Sequence, residues 1–175
     1  MKLIRTTALI LSVITLSLSC IACKSKNSYR DDLTSADVIQ QIETALAGGD
    51  GYIPVSDGFI SPSSWGEEYT SLLDAVSDWE IRISENKDAN VDEFGVFHVK
   101  NPDQVSEVKS IVDSYIATQQ LRLPSILDMY NPDEIPKVEN AKVLVCGNYV
   151  LYTILNDEAT GKAQSACKDE LKKAE

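Results

Sequence analysis

The segment 78–99, DWEIRISENKDANVDEFGVFHV, decides the fold class. Its opening residues, DWEIRIS, alternate polar and apolar side chains, which is the pattern of a strand with one buried face. The polar run ENKDAN then predicts a turn, and the apolar residues of VDEFGVFHV predict a second strand. We therefore expect an antiparallel β-hairpin over this segment.

A second hairpin is predicted over residues 141–156, AKVLVCGNYVLYTILN. Gly147 and Asn148 separate two runs of residues that favour strands. Such a pair is typical of a two-residue hairpin turn. Sheet order cannot be read from the sequence, so we leave the arrangement of the two hairpins open.

A long helix is expected between the two hairpins. Asn101 can cap its start, Pro102 suits the first helical position, and Gln104 can complete a capping box. Apolar residues then recur at helical spacing: Val105, Val108, Ile111, Val112, Tyr115 and Ile116. We expect Pro124 to kink or break this helix.

Three more helices are predicted, over residues 35–47, 64–76 and 157–173. Thr34 can cap the first of them, and residues 50–62 are expected to form an irregular crossing segment. The element order is then ααββαββα. This order favours an α+β fold of about four mainly antiparallel strands in two hairpins, with helices packed on one face of the sheet.

The first 22 residues have the layout of a secretory signal peptide. Lys2 and Arg5 precede an apolar run, residues 8–22, which contains hydroxyl side chains and no acidic residue. A membrane-spanning helix needs about 20 mainly apolar residues, so this run is too short to remain in the membrane. We expect the segment 1–22 to be cleaved after export.

The apolar run ends at two cysteines, either of which can begin a lipoprotein. In such proteins a cysteine that follows small or apolar residues receives a diacylglycerol and becomes the first residue of the mature chain. Ala22 before Cys23 suits this processing better than Ser19 before Cys20. Cys23 is therefore the predicted lipidation site, Cys20 is the alternative, and an ordinary signal without a lipid is the third possibility.

We expect three regions along the chain: the signal peptide 1–22, a flexible tether 23–33 and a single domain 34–175. Stable attachment to a membrane needs two acyl chains, which a diacylglyceryl group supplies. This predicts a protein held at the outer face of the cytoplasmic membrane by its N-terminal anchor.

The charge of the chain argues against nucleic acid as a partner. The formal net charge is −11, with 27 acidic residues against 16 lysines and arginines, whereas nucleic-acid binding depends on basic residues. Outside the export region there are two cysteines, Cys146 and Cys167. We expect them to be free buried thiols, and a disulfide between them is the alternative.

No constellation of catalytic or metal-binding residues stands out, and no cofactor is expected. The single histidine, His98, lies at a strand end, and Cys146 lies within an apolar strand without the surroundings that activate a thiol. The segment 86–97 resembles a calcium loop but has valine and phenylalanine where that loop requires glycine and glutamate. Asp92 and Glu93 are adjacent on a strand, so they point to opposite faces and cannot act together.

Three stretches of the chain resemble the DUF4358 domain family of bacterial lipoproteins. They are LTSADVIQQIETAL, VDEFGVFHVKNPDQVSEVKSIVDSYI and MYNPDEIPKVENAKVLVCGNYVLYTI, and the acidic last helix extends the likeness to residues 33–171. The resemblance implies export and lipid attachment at Cys23. It implies no activity, and it assigns no catalytic or ligand-binding residue.

These observations favour a non-enzymatic, membrane-tethered domain that acts through contacts with a protein or with the cell envelope. The alternative is a small-ligand-binding lipoprotein with a pocket between the sheet and the helices. A deep cavity lined by Trp65, Trp79 or Tyr149 would favour the ligand-binding protein. An exposed apolar patch would favour the interaction module.

Overall fold

The computed structural model describes residues 29–47, 51–55, 62, 65–66 and 69–173. The predicted signal peptide and both candidate lipidation sites, Cys20 and Cys23, lie outside these residues. The described chain forms a five-stranded antiparallel sheet with helices packed against it. This confirms the predicted α+β class, with one strand more than expected.

The strands are β1 (Tyr52–Pro54), β2 (Val76–Ser84), β3 (Glu93–Val99), β4 (Lys142–Cys146) and β5 (Tyr149–Ile154), in the sheet order β1-β2-β3-β5-β4. The helices are α1 (Ser35–Leu46), α2 (Tyr69–Ala75), α3 (Val105–Tyr130), α4 (Ile135–Glu139) and α5 (Asp157–Leu171). Both predicted hairpins are present, as β2–β3 and β4–β5. They meet through the pairing of β3 with β5.

Local sequence signals explain the ends of several elements. Thr34 and Asp37 form the predicted capping box at the start of α1. Gly147 has a φ of 59° at the first position of the β4–β5 turn, a position where a hairpin turn favours glycine. Asn156 caps α5 by accepting a hydrogen bond from the backbone N–H of Ala159.

The sheet is covered on both faces, so the prediction that helices cover one face was wrong. Strands β3 and β5 bury residues of both alternations, and these residues divide into two cores. Phe97 and Val99 face a core that contains α3, whereas Phe94 and Val96 face a core built by α1 and α5. A continuous apolar run in a central strand is the sequence signal of this two-sided burial.

Two predictions before β2 also need correction. Residues 50–62 were expected to be irregular, but Tyr52–Pro54 form the edge strand β1. Three residues are too few to show a period of two, and an edge strand accommodates proline. The helix predicted over residues 64–76 is observed as Tyr69–Ala75, because Val76 pairs with Val99 and begins β2.

The long helix α3 differs from its prediction at both ends. Asn101 accepts a hydrogen bond from the backbone N–H of Asp103, but Gln104 ends a short 3-10 turn and makes no capping bond among the described residues. Pro124 lies inside the helix, which continues to Tyr130. Leu127, beyond the proline, is buried in the core, so tertiary packing keeps the last turns helical.

Candidate functional site

Glu93 is a fully buried carboxylate at the start of β3. It faces the α3 side of the sheet, where the Tyr115 and Tyr152 hydroxyls each donate a hydrogen bond of 2.6 Å to its Oε1 atom. Gly95 makes room for this arrangement, because a Cβ atom there would lie 2.5 Å from the Tyr152 ring. One helix and two strands therefore meet at a single acidic side chain.

Burial controls the protonation of this group. It raises the pKa of Glu93 from 4.5 to about 7, and the hydrogen bonds from Tyr115 and Tyr152 and the charge of Arg122 limit the rise. Burial, together with the carboxylate of Glu93, also raises the pKa of both tyrosines well above the usual value. The tyrosines are therefore neutral hydrogen-bond donors.

The Trp65 ring packs against both tyrosine rings. Its ring stacks on Tyr115 with a centroid distance of 4.0 Å and meets Tyr152 edge-on at 6.0 Å. Such contacts restrain both rings. Trp65 and Trp79 pack against the α3 core and Tyr149 lies in the other core, so none of the three aromatic residues expected at a cavity lines the one beside Glu93.

A cavity of about 290 Å³ opens beside Glu93, between the end of the β2–β3 hairpin and α3. Its lining residues are Ile83, Lys87, Asp88, Asn90, Val91, Asp92, Glu93, Gln119, Arg122 and Leu123. Arg122 donates a hydrogen bond of 2.9 Å to Oε1 of the buried Gln119. The cavity therefore combines acidic, basic and apolar groups within one space.

The hairpin wall of the cavity is fixed by an ion-pair network. Lys137 Nζ lies 2.7 Å from Asp92 Oδ1 and 2.9 Å from Glu134 Oε2, and the backbone N–H of Val91 also donates to Glu134. Burial by itself lowers the pKa of Lys137, but hydrogen bonds with the two carboxylates reverse this and raise the pKa. Asp92 and Glu93 have separate partners, although both line this cavity.

His98 lies at the opposite end of β3, away from the cavity, and among the described residues its ring contacts two carboxylates and a tyrosine. Its Nε2 atom is 2.9 Å from Asp31 Oδ1, its Nδ1 atom is 3.4 Å from Asp78 Oδ2, and its ring stacks on Tyr149 at 4.3 Å. Tyr149 donates a hydrogen bond of 2.7 Å to the carbonyl oxygen of Leu33. This end of the sheet binds the segment that precedes α1.

Cys146 and Cys167 are free, buried and adjacent, one on β4 and the other on α5. The Cys167 thiol donates a hydrogen bond to Cys146, which raises the pKa of Cys167 and lowers that of Cys146. The sequence did not show that these thiols approach each other. They are placed as the predicted free buried thiols, and a disulfide between them stays the untested alternative.

The last turns of α3 expose large apolar side chains, which we call the α3 patch. Its members and their exposed fractions are Leu121 (86%), Ile126 (42%), Met129 (69%) and Tyr130 (80%). Asp128 lies within the same turns, and Asp133 follows them in the next turn. Large exposed apolar patches are typical of interaction sites in proteins.

Two absences concern only the residues that the structure describes. None of their helices is both long and apolar enough to cross a membrane. No three His, Cys, Asp or Glu side chains among them are placed to hold a metal ion.

Residues 72–155 match the family described as a domain of unknown function (DUF4358). The match confirms the predicted DUF4358 domain over this range, which extends from α2 to just beyond β5 and contains every residue that lines the cavity. No curated protein and no solved structure shows a significant match to the chain.

Sequence reasoning identified Glu93 as a strand residue but not as a site. Its partners Tyr115 and Tyr152 are 22 and 59 residues away, and both fit the apolar pattern of a core. The available signal was an acidic residue that shares a strand face with Gly95 and Phe97. A charge on a buried face needs partners, which tyrosine hydroxyls can provide.

Proposed function

We propose that this chain is an exported domain, anchored to the outer face of the cytoplasmic membrane by a diacylglyceryl group on Cys23, and that it binds a protein of the cell envelope. The anchor is supported by the basic start, the apolar run 8–22 and the small residue Ala22 before the cysteine. The resemblance to a lipoprotein family points the same way.

The α3 patch is the observation that carries the binding function. Four exposed apolar side chains lie on the last turns of one helix and spread over about half of its circumference: Leu121, Ile126, Met129 and Tyr130. Exposing these side chains gains the domain nothing in stability. A partner that covers them would recover the free energy of burial, and aromatic residues such as Tyr130 often dominate such interfaces.

A protein fits this patch better than a lipid surface does. Asp128 and Asp133 place negative charge beside the apolar side chains, and the chain as a whole carries a net charge of −11. Anionic head groups repel such a surface. A protein with an apolar centre and a basic rim is complementary to it.

The anchor is tested by metabolic labelling with a fatty acid that carries a clickable tag, in cells that export the full chain. We expect Cys23→Ala to abolish the label and release the domain, because the acylated thiol is lost. Cys20→Ala is the matched control and should keep the label. Label retained by Cys23→Ala and lost by Cys20→Ala would move the anchor to Cys20, and an unlabelled wild type would exclude lipidation.

The partner surface is tested by a photo-crosslinking residue at position 129, with position 165 on the exposed side of α5 as the control. A protein captured from position 129 alone is then purified and its affinity for the domain is measured. We expect Leu121→Ser with Met129→Ser to weaken binding at least tenfold, since buried anchors contribute about 1–2 kcal/mol each. Unchanged affinity in this double variant would contradict the proposal.

A further inference from the structure

The Glu93 carboxylate has one oxygen that the protein does not use. Both tyrosine hydroxyls donate to Oε1, and within the described part of the chain no donor reaches Oε2. Glu93 is only 6% exposed, yet it lines the cavity beside α3. This oxygen is therefore available to a ligand in the cavity, and a positively charged donor would form a charge-assisted hydrogen bond with it.

The same cavity carries positive charge on its other lining residues. Arg122 uses one nitrogen to bond Gln119, and no acceptor among the described residues uses its remaining N–H groups. Lys87 lines the cavity from the exposed hairpin turn. Lys137 forms ion pairs with both Asp92 and Glu134. The other charged lining residues are the buried Glu93 and the exposed Arg122, Lys87 and Asp88.

The rest of the lining is aliphatic. Ile83, Val91 and Leu123 come from the sheet, the turn and the helix respectively, and all three are only partly covered by the protein. Such side chains favour an apolar group of a ligand, while a few polar groups fix its orientation. A volume of about 290 Å³ suits a small molecule.

We propose that this cavity binds a small zwitterion, a free α-amino acid with an aliphatic side chain. Its ammonium group donates to Oε2 of Glu93, its carboxylate accepts hydrogen bonds from Arg122, and its side chain packs on Ile83, Val91 and Leu123. This site is distinct from the α3 patch, and the proposal stands whether or not a protein binds there. It develops the ligand-binding alternative that the sequence left open.

Calorimetric titration of the full mature chain at pH 8 tests the ligand class. Leucine is compared with 3-methylbutylamine, which lacks the carboxylate, and with 4-methylpentanoate, which lacks the amine. We expect leucine to bind at least tenfold more tightly than either fragment, because it satisfies both charged ends of the cavity. Equal binding of all three would overturn the proposal, as would failure of every member of a panel of free L-amino acids to bind.

Two variants then test whether Glu93 binds the ammonium group and Arg122 the carboxylate of the amino acid. Glu93→Gln keeps the shape of the side chain and Arg122→Gln removes the base, and each should weaken leucine binding about tenfold or more. Lys109→Gln removes a charge from an exposed position on the same helix and should leave the affinity unchanged. If Glu93→Gln fails to fold, Arg122→Gln still decides, because Arg122 is exposed. Wild-type affinity in Arg122→Gln would contradict the assigned orientation.

Discussion

Glu93 is a polar residue in a position that the fold otherwise reserves for apolar side chains. Phe97 shares its strand face and is completely buried, whereas Glu93 needs two tyrosine hydroxyls to remain there. A charged carboxylate at such a place is unfavourable unless it is hydrogen-bonded, and its pKa rises as a result. The stability of the domain should therefore depend on the protonation of this one residue.

Glu93→Gln tests this dependence. The folded protein holds the proton of Glu93 up to a pKa of about 7, against 4.5 in the unfolded chain. The stability that this proton contributes is complete below the lower pKa and is lost as the pH rises to the higher one. Between these limits we expect the free energy of unfolding of the wild type to fall by about 3 kcal/mol relative to the variant, in urea titrations at several pH values.

Glu107→Gln supplies the control for that experiment, because Glu107 is an exposed acid on α3. Its free energy of unfolding should follow the wild type across the same pH range. Parallel curves for the wild type and Glu93→Gln would show that the carboxyl is not perturbed in the folded state.

At the scale of elements, the predictions that succeeded rest on neighbouring residues. The Thr34 capping box and the two-residue turn at Gly147 and Asn148 use contacts that are local in sequence, so the sequence shows them directly. Strand β1 and the continuation of α3 beyond Pro124 depend on distant partners. Local propensity is a weak guide where tertiary packing decides the outcome.

Pro124→Ala measures how much the proline in α3 lowers the free energy of unfolding. A proline inside a helix removes one hydrogen bond and clashes with the preceding turn, and it is about 3 kcal/mol less favourable than alanine. Pro124 is only partly buried, so little packing is lost. We expect the variant to raise the free energy of unfolding by up to about 3 kcal/mol, measured by urea titration. A destabilised variant would mean that the proline shapes the helix for its packing.

For the whole molecule, the segment before α1 joins the N-terminal region to the domain. Residues 29–33, the described part of the expected tether, run beside α5 and the end of β3. The backbone N–H of Arg30 donates to the carbonyl oxygen of Leu171 at 2.7 Å, and the N–H of Leu33 donates to the Tyr149 hydroxyl at 3.2 Å. These contacts attach residues 30 and 33 to the folded domain. The sequence analysis predicted that the domain begins at residue 34.

Asp31 is the residue on which this attachment should depend. Asn148 Nδ2 donates to it at 2.9 Å, and His98 Nε2 lies 2.9 Å from its other carboxylate oxygen. Asp31→Ala removes both interactions. The Asp31 side chain is 49% exposed, so solvent weakens them, and together they contribute about 1–2 kcal/mol. We expect amide exchange at positions 30 and 33 to accelerate at least tenfold by mass spectrometry or NMR, while exchange in β3 and β5 remains unchanged.

Asp32→Ala is the matched control, because Asp32 is exposed and pairs with its neighbour Arg30. It removes the same charge one residue away and should leave the exchange rates within a few-fold of the wild type, since exposed ion pairs contribute little. Equal acceleration by both variants would mean that net charge holds the segment. Acceleration by Asp31→Ala alone would place the attachment of this segment at the His98 end of β3, so that the segment leading to the proposed anchor and the proposed ligand cavity lie at opposite ends of one strand.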